Sequence, residues 1–159
     1  MIKVGFKRLT DDSILPVKAH PTDSGFDLFA NEDVIIEPGE TVVIKTGVAV
    51  KLPPGHEAQV RPRSGVTSKT KLRVQLGTID QDYIGEIGII VDNISPLTRN
   101  LNYFTLSIDG ETHKTFECVR YGTYIIQKGD KLAQLVVVPI HPVETYEIEE
   151  LPVTERGAN

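Results

Sequence analysis

Cysteine is nearly absent from this sequence: Cys118 stands alone among 159 residues. One thiol excludes an internal disulfide framework and any zinc site built on paired cysteines. Long apolar runs are missing as well. No segment approaches the ~18 consecutive apolar residues of a membrane-spanning helix. The opening "MIKVGFKRLTDDS" lacks the charged-then-apolar signature of a signal peptide. The expectation is a reduced, cytoplasmic protein without a membrane partner. Positive charge is also scarce, with 17 Lys and Arg against 22 Asp and Glu, a net charge of −5. That balance argues against nucleic acid as a partner, which calls for a basic patch. It still allows a small anion, held by a few local Arg, Lys or backbone N–H groups.

Several catalytic signatures are missing too. His20, His56, His113 and His141 show no i,i+4 spacing, which argues against a histidine metal site. There is no G-x-S-x-G elbow, and Cys118 has no evident partner, so covalent nucleophilic catalysis is disfavoured. Neither a P-loop nor G-x-G-x-x-G occurs.

What is present reads as strands. Hydrophobic content of 40% and charged content of 25% are ordinary for a globular chain, and the length fits one domain over residues 1–159. Apolar segments are short, β-branched and bounded by Gly, Pro, Asn or Asp. "DVIIEPGETVVIKTGVAVKLPPG" reads as strand, turn at Pro38-Gly39, strand, kink at Gly47, strand, turn at Pro53-Pro54-Gly55. "TYIIQKGDKLAQLVVVPI" reads as a hairpin-like pair about Lys128-Gly129-Asp130, and only Ser64 to Leu72 offers a short helix. This spacing predicts an all-β sandwich, barrel or jelly roll. Residues 94–120 form a long excursion with strand-like alternation and an Asp109-Gly110 turn. From Pro152 onward the pattern is lost, as expected of a mobile C-terminal arm spanning 152–159.

Taken singly, the polar motifs are modest. "PTDSGFDLFA" sets Asp23 and Asp27 around a glycine, which a turn and strand start would also explain. "RPRSG" offers two guanidinium forks, a hydroxyl and a glycine, the groups a phosphate oxygen needs, yet a solvated strand end looks the same. "GTIDQDYIGEI" packs two carboxylates and a tyrosine into a hairpin-like stretch that a plain turn does not require. Gln134 is an amide inside an apolar run and must find partners if buried.

The order of the pieces is more specific. "DSGFDL", "RPRSG", "GTIDQDYIGEI", "GDKLAQL" and a C-terminal "ERG" resemble, in sequence and order, the five motifs of the trimeric dUTP diphosphatases, or dUTPases. The resemblance runs from about Thr22 to Gly157 and leaves out 94–120. It implies a distorted jelly-roll subunit, a homotrimer, and Mg²⁺-dependent hydrolysis of dUTP to dUMP and pyrophosphate. It also implies roles: Gly77 and Gly88 lend backbone groups to the uracil edge, and Tyr83 packs under the deoxyribose. Asp80 holds the 3′-OH and orients the attacking water as the catalytic residue. Asp27 reaches the metal through a water; Arg63, Ser64, Gly65 and Gln134 bind phosphate oxygens, and Arg156 reaches the γ-phosphate.

Two departures follow from the same resemblance. The family's last motif continues past "RG" into a Gly-rich segment with an aromatic, whereas this sequence ends at Asn159; the remainder is expected to follow Asn159 in the protein rather than to be lost. The 94–120 excursion is similar to inserts in dUTPases of staphylococcal-type phages, in which case the place of action is the host cytoplasm. It is a candidate surface for a regulatory protein and is expected to be dispensable for chemistry. The alternatives are a nucleotide-responsive protein binding a repressor through that insert, or a dCTP deaminase. The deaminase family carries a catalytic Glu where this chain has Ile90.

Overall fold

The computed structural model describes residues 2–152 and residue 154. Its first strands are β1 (Gly5–Arg8), β2 (Phe26–Phe29), β3 (Val34–Ile36), β4 (Thr41–Lys51) and β5 (His56–Pro62). Helix α1 (Ser64–Lys69) follows, then β6 (Leu72–Val74), β7 (Gly77–Ile79) and β8 (Glu86–Asn93). The chain continues through β9 (Leu101–Leu106), β10 (Thr112–Arg120), β11 (Tyr124–Ile126) and β12 (Lys131–Pro139). This is the all-β architecture that the strand spacing predicts, and among its alternatives it is the jelly roll that the resemblance implies.

Three four-stranded sheets, ordered β1-β4-β8-β6, β2-β12-β5-β7 and β10-β9-β11-β3, enclose the core. Alternation decides which side chains enter it. In β8, Ile87, Ile89, Val91 and Asn93 are buried while Ile90 is exposed, the period-2 pattern of a half-buried strand. Gly47 interrupts β4 at φ +66°, and the β4–β8 register slips between Lys45 and Ala49. The kink read from the sequence is therefore a bulge that only glycine accommodates at low cost.

Two expected hairpins are corners instead. β7 pairs with β5, whereas β8 pairs with β4 and β6, so "GTIDQDYIGEI" passes from one sheet to another. Likewise β11 pairs with β3 and β12 with β2 and β5. Apolar strands on either side of a short turn gain more by burying faces in two packed sheets than by pairing with each other.

The 94–120 excursion extends a sheet rather than standing free. β9 lies against β11, and β10 pairs with β9 at the edge. Leu106 and Ile108 pack on the core, but Leu101, Tyr103, Phe104 and Phe116 stay exposed. Buried Asn93 locks the base of the excursion. Its amide donates to the carbonyls of Ile36 and Gly122, both at 2.9 Å, and its oxygen accepts from Ser95 N–H at 3.0 Å.

Candidate active site

The β7–β8 corner opens a cleft of about 200 Å³ lined by Gly77, Asp80, Tyr83, Glu86, Gly88 and Ile90, among others. Asp80 follows the last residue of β7 and is exposed at the mouth. The turn after it is closed by Tyr83 N–H donating to the Asp80 carbonyl at 3.0 Å. Tyr83 is 48% exposed, and its hydroxyl donates to the Glu86 carbonyl at 3.0 Å. Its ring lies against Gly85, where a Cβ would come within 2.7 Å of the ring carbon Cζ. The tyrosine is thus fixed at both ends with one edge free for a ligand.

The two glycines of the cleft have different reasons. A Cβ on Gly88 would meet Val43 Cγ1 at 2.7 Å, so close packing of β4 on β8 already demands glycine. A Cβ on Gly77 would make only ordinary contact with Val60, so nothing inside the fold forbids a larger residue there. Its open face is toward the cleft.

A second cluster gathers beyond the far end of β5. Asp27 pairs across β12 with Gln134, which pairs with Arg61. The Asp27 carboxylate, 13% exposed, lies 3.3 Å from Arg63 Nε and 3.0 Å from Lys131 Nζ. Arg63 Nη1 also donates to the Lys131 carbonyl at 2.8 Å. A guanidinium carries more donors than these contacts use. Ser64 and Gly65 begin α1 and are exposed, with nothing within 4 Å of a Cβ placed on Gly65. Gln134 donates to the Pro62 carbonyl at 3.1 Å, and its Oε1 would clash at 2.6 Å with a Cβ on Gly25. Gly25 therefore lets the β2 entry lie directly on Gln134.

The clusters do not meet within one chain. Val60 pairs with Gly77 and Ala58 with Ile79, so Asp80 follows the last pair of this ladder, at the Glu57 end of β5. From Glu57 to Arg61 is four strand steps, roughly 13 Å, and Arg63 lies roughly 20 Å along. Arg156 lies outside the described residues.

The dUTPase family model matches residues 11–102. This chain belongs to the dUTPase family. Deoxyuridine 5′-triphosphate nucleotidohydrolase of Clostridioides difficile is 39% identical over 159 residues, covering 99% of this chain and 94% of that protein. The fold is also that of a mutant dUTPase from phage phi11 of S. aureus, described as revealing the coordination of a structural Mg(II) ion. That structure has a TM-score of 0.91 and 39% identity, covering 95% of this chain and 99% of the other. The dUTPase of Staphylococcus bacteriophage 80alpha gives a TM-score of 0.90 at 38% identity, with the same coverage. That phage enzyme is described as controlling transfer of virulence genes by a G protein-like mechanism.

The dUTPase cofactor Mg²⁺ can be tested against Asp27. Its Oδ2 is buried and, beyond the ion pair with Lys131 Nζ at 3.0 Å, accepts no hydrogen bond. A water on a hydrated cation would supply a donor to it. No group of three or more acidic, His or Cys side chains suited to a metal occurs among the described residues. Mg²⁺ characteristically keeps several waters and is held through one or two carboxylates and substrate phosphates. Asp27 suits the group.

Sequence reading missed Lys131 and Glu86. A lysine after Gly-Asp resembles a solvated turn residue, and only the β2–β12 register brings it to Asp27. Glu86 lines the cleft, but its Oε1 is engaged by Gly47 N–H at 2.7 Å.

Proposed function

We propose that the protein hydrolyses dUTP to dUMP and pyrophosphate, limiting uracil in DNA and supplying dUMP for thymidylate synthesis, in the cytoplasm. The cleft that gathers Gly77, Asp80, Tyr83 and Gly88 carries this reading. Gly77 and Gly88 offer backbone groups to the uracil edge. Tyr83, held by Glu86 and Gly85, lies under the deoxyribose and leaves no room for a 2′-OH. Asp80 binds the 3′-OH and orients a water toward the α-phosphorus.

The water's oxygen bonds to the α-phosphorus as its proton passes to the Asp80 carboxylate. The bond from the α-phosphorus to the bridging oxygen breaks, and pyrophosphate leaves. Arg63, Ser64, Gly65 and Gln134, with Arg156 from the C-terminal arm, bind phosphate oxygens and hold the chain of phosphates in line. Mg²⁺, when bound through a water on Asp27, neutralises phosphate charge.

The strand steps between Asp80 and Arg63 exceed what one triphosphate bridges comfortably, which supports a homotrimer with sites shared between subunits. Exposed Val43 and Ile90, paired across β4 and β8 beside the cleft, are apolar surface that a neighbouring subunit can cover. Ile90 also weighs against deamination, since it brings no proton-carrying group to the cleft wall. Exposed Leu101, Tyr103, Phe104 and Phe116 support the excursion as a surface for a regulatory protein. Pyrophosphate release assayed with dUTP, UTP, dTTP and dCTP side by side tests the reading. Release far faster with dUTP than with the other three is expected; equal rates for dUTP and UTP would remove Tyr83 as the sugar selector.

A further inference from the structure

Helix α1 carries Ser64 and Gly65, and its later carbonyls are held by Arg73 Nη1 on Thr67 at 3.3 Å and by the Thr70 hydroxyl on Val66 at 2.7 Å. Val66 is its one buried side chain, and its first residue Ser64 is exposed. What holds its other end comes partly from the excursion. The Ser107–Glu111 turn is internally tight: Ser107 N–H donates to the Glu111 carbonyl at 2.9 Å, and Gly110 N–H to the Ser107 carbonyl at 3.0 Å. Glu111 N–H donates to Asp109 Oδ1 at 3.1 Å, and the Ser107 hydroxyl bonds the same oxygen.

This turn presses on the last residue of α1. Gly110 has φ +85°, and a Cβ built on it would lie 2.8 Å from the Lys69 carbonyl oxygen. Only glycine allows both that conformation and that approach. Asp109 lies close enough to Asp130 for its charge to add to the burial that raises Asp130, the residue before Lys131. A helix of six residues spans ~9 Å and moves as a unit, so a shift at Lys69 reaches Ser64.

We propose that the Ser107–Glu111 turn, seated through Gly110 on the Lys69 carbonyl, positions α1 and so sets how tightly Ser64 and Gly65 hold the triphosphate. This rests on the assignment of those two residues to phosphate binding. The turn touches no substrate; it is a positioning element.

Two variants of the full chain test it. Gly110→Ala forces the turn away from Lys69. A second replaces residues 107–111 with Asn-Gly, which closes the paired Leu106 and Thr112 by a two-residue turn without strain. Affinities are measured for the non-hydrolysable α,β-imido-dUTP and for dUMP, which lacks the outer phosphates. The expected result is a loss of about fivefold or more for the imido analogue, unchanged dUMP affinity, and kcat close to that of the parent. Unchanged affinity for the imido analogue in the folded variants overturns the proposal, and so does an equal loss for dUMP. A Ser64→Ala control separates the premises: if it leaves the imido analogue's affinity intact, the phosphate role of α1 fails, whatever the turn does.

Discussion

Asp80 is exposed and leads a turn, a place where stability asks for no carboxylate. Asp80→Asn keeps size and hydrogen bonding to a sugar hydroxyl but cannot take the water's proton. We expect nucleotide affinity near that of the parent and kcat lower by ~10²-fold or more. Near-normal turnover would take Asp80 out of the mechanism. Asn93 is the opposite case, a buried amide serving structure. Asn93→Ala strands the carbonyls of Ile36 and Gly122 and the N–H of Ser95, costing about 3 kcal/mol. Denaturant unfolding checks it, and a loss below about 1 kcal/mol means water replaces the amide. The cleft around Asp80 was legible as a candidate site because carboxylate, tyrosine and glycine crowd one short segment. Asn93 was not, since its partners are 57 and 29 residues away.

At the scale of elements, turns were legible and partners were not. Gly129 at φ +92° and Gly110 at φ +85° sit where Gly-containing turns were read, because those conformations favour glycine in any sequence. Alternation marks a buried face but does not say which strand lies alongside, so two corners between sheets looked like hairpins. The corner between β11 and β12 also supplies a pH test. Asp130 accepts from Gln127 N–H at 2.8 Å, yet burial, with the charges of Asp109 and Asp33, holds its pKa above the ordinary 3.8. The folded state therefore keeps this proton to higher pH than the unfolded chain. The group's contribution to stability is full below 3.8 and falls as pH rises through its raised native value. Asp130→Asn keeps an acceptor for Gln127 and removes the ionisation. Stability of the variant relative to the parent should rise from acid to neutral pH, as followed by urea unfolding. A difference that stays flat with pH would sink this account.

For the whole molecule, the issue is how two halves of one site come together. Asp80 follows β7 and Arg63 follows β5, paired strands of one sheet, yet the two lie roughly 20 Å apart along β5. If one subunit supplies Asp80 and the next supplies Arg63, two dead proteins should rescue each other. Asp80→Asn subunits keep Arg63, and Arg63→Ala subunits keep Asp80. Co-refolded in equal amounts into closed three-fold rings, each boundary pairs an intact Asp80 with an intact Arg63 about one time in four. Activity should then recover to about a quarter of the parent's per subunit, while each variant refolded alone stays near zero. Light scattering on the same sample should give a trimer. Recovery that stays at the level of the separate variants, in a sample shown to contain hybrid trimers, would mean that each chain completes its own site. In that case the distance along the sheet would no longer count as evidence for assembly.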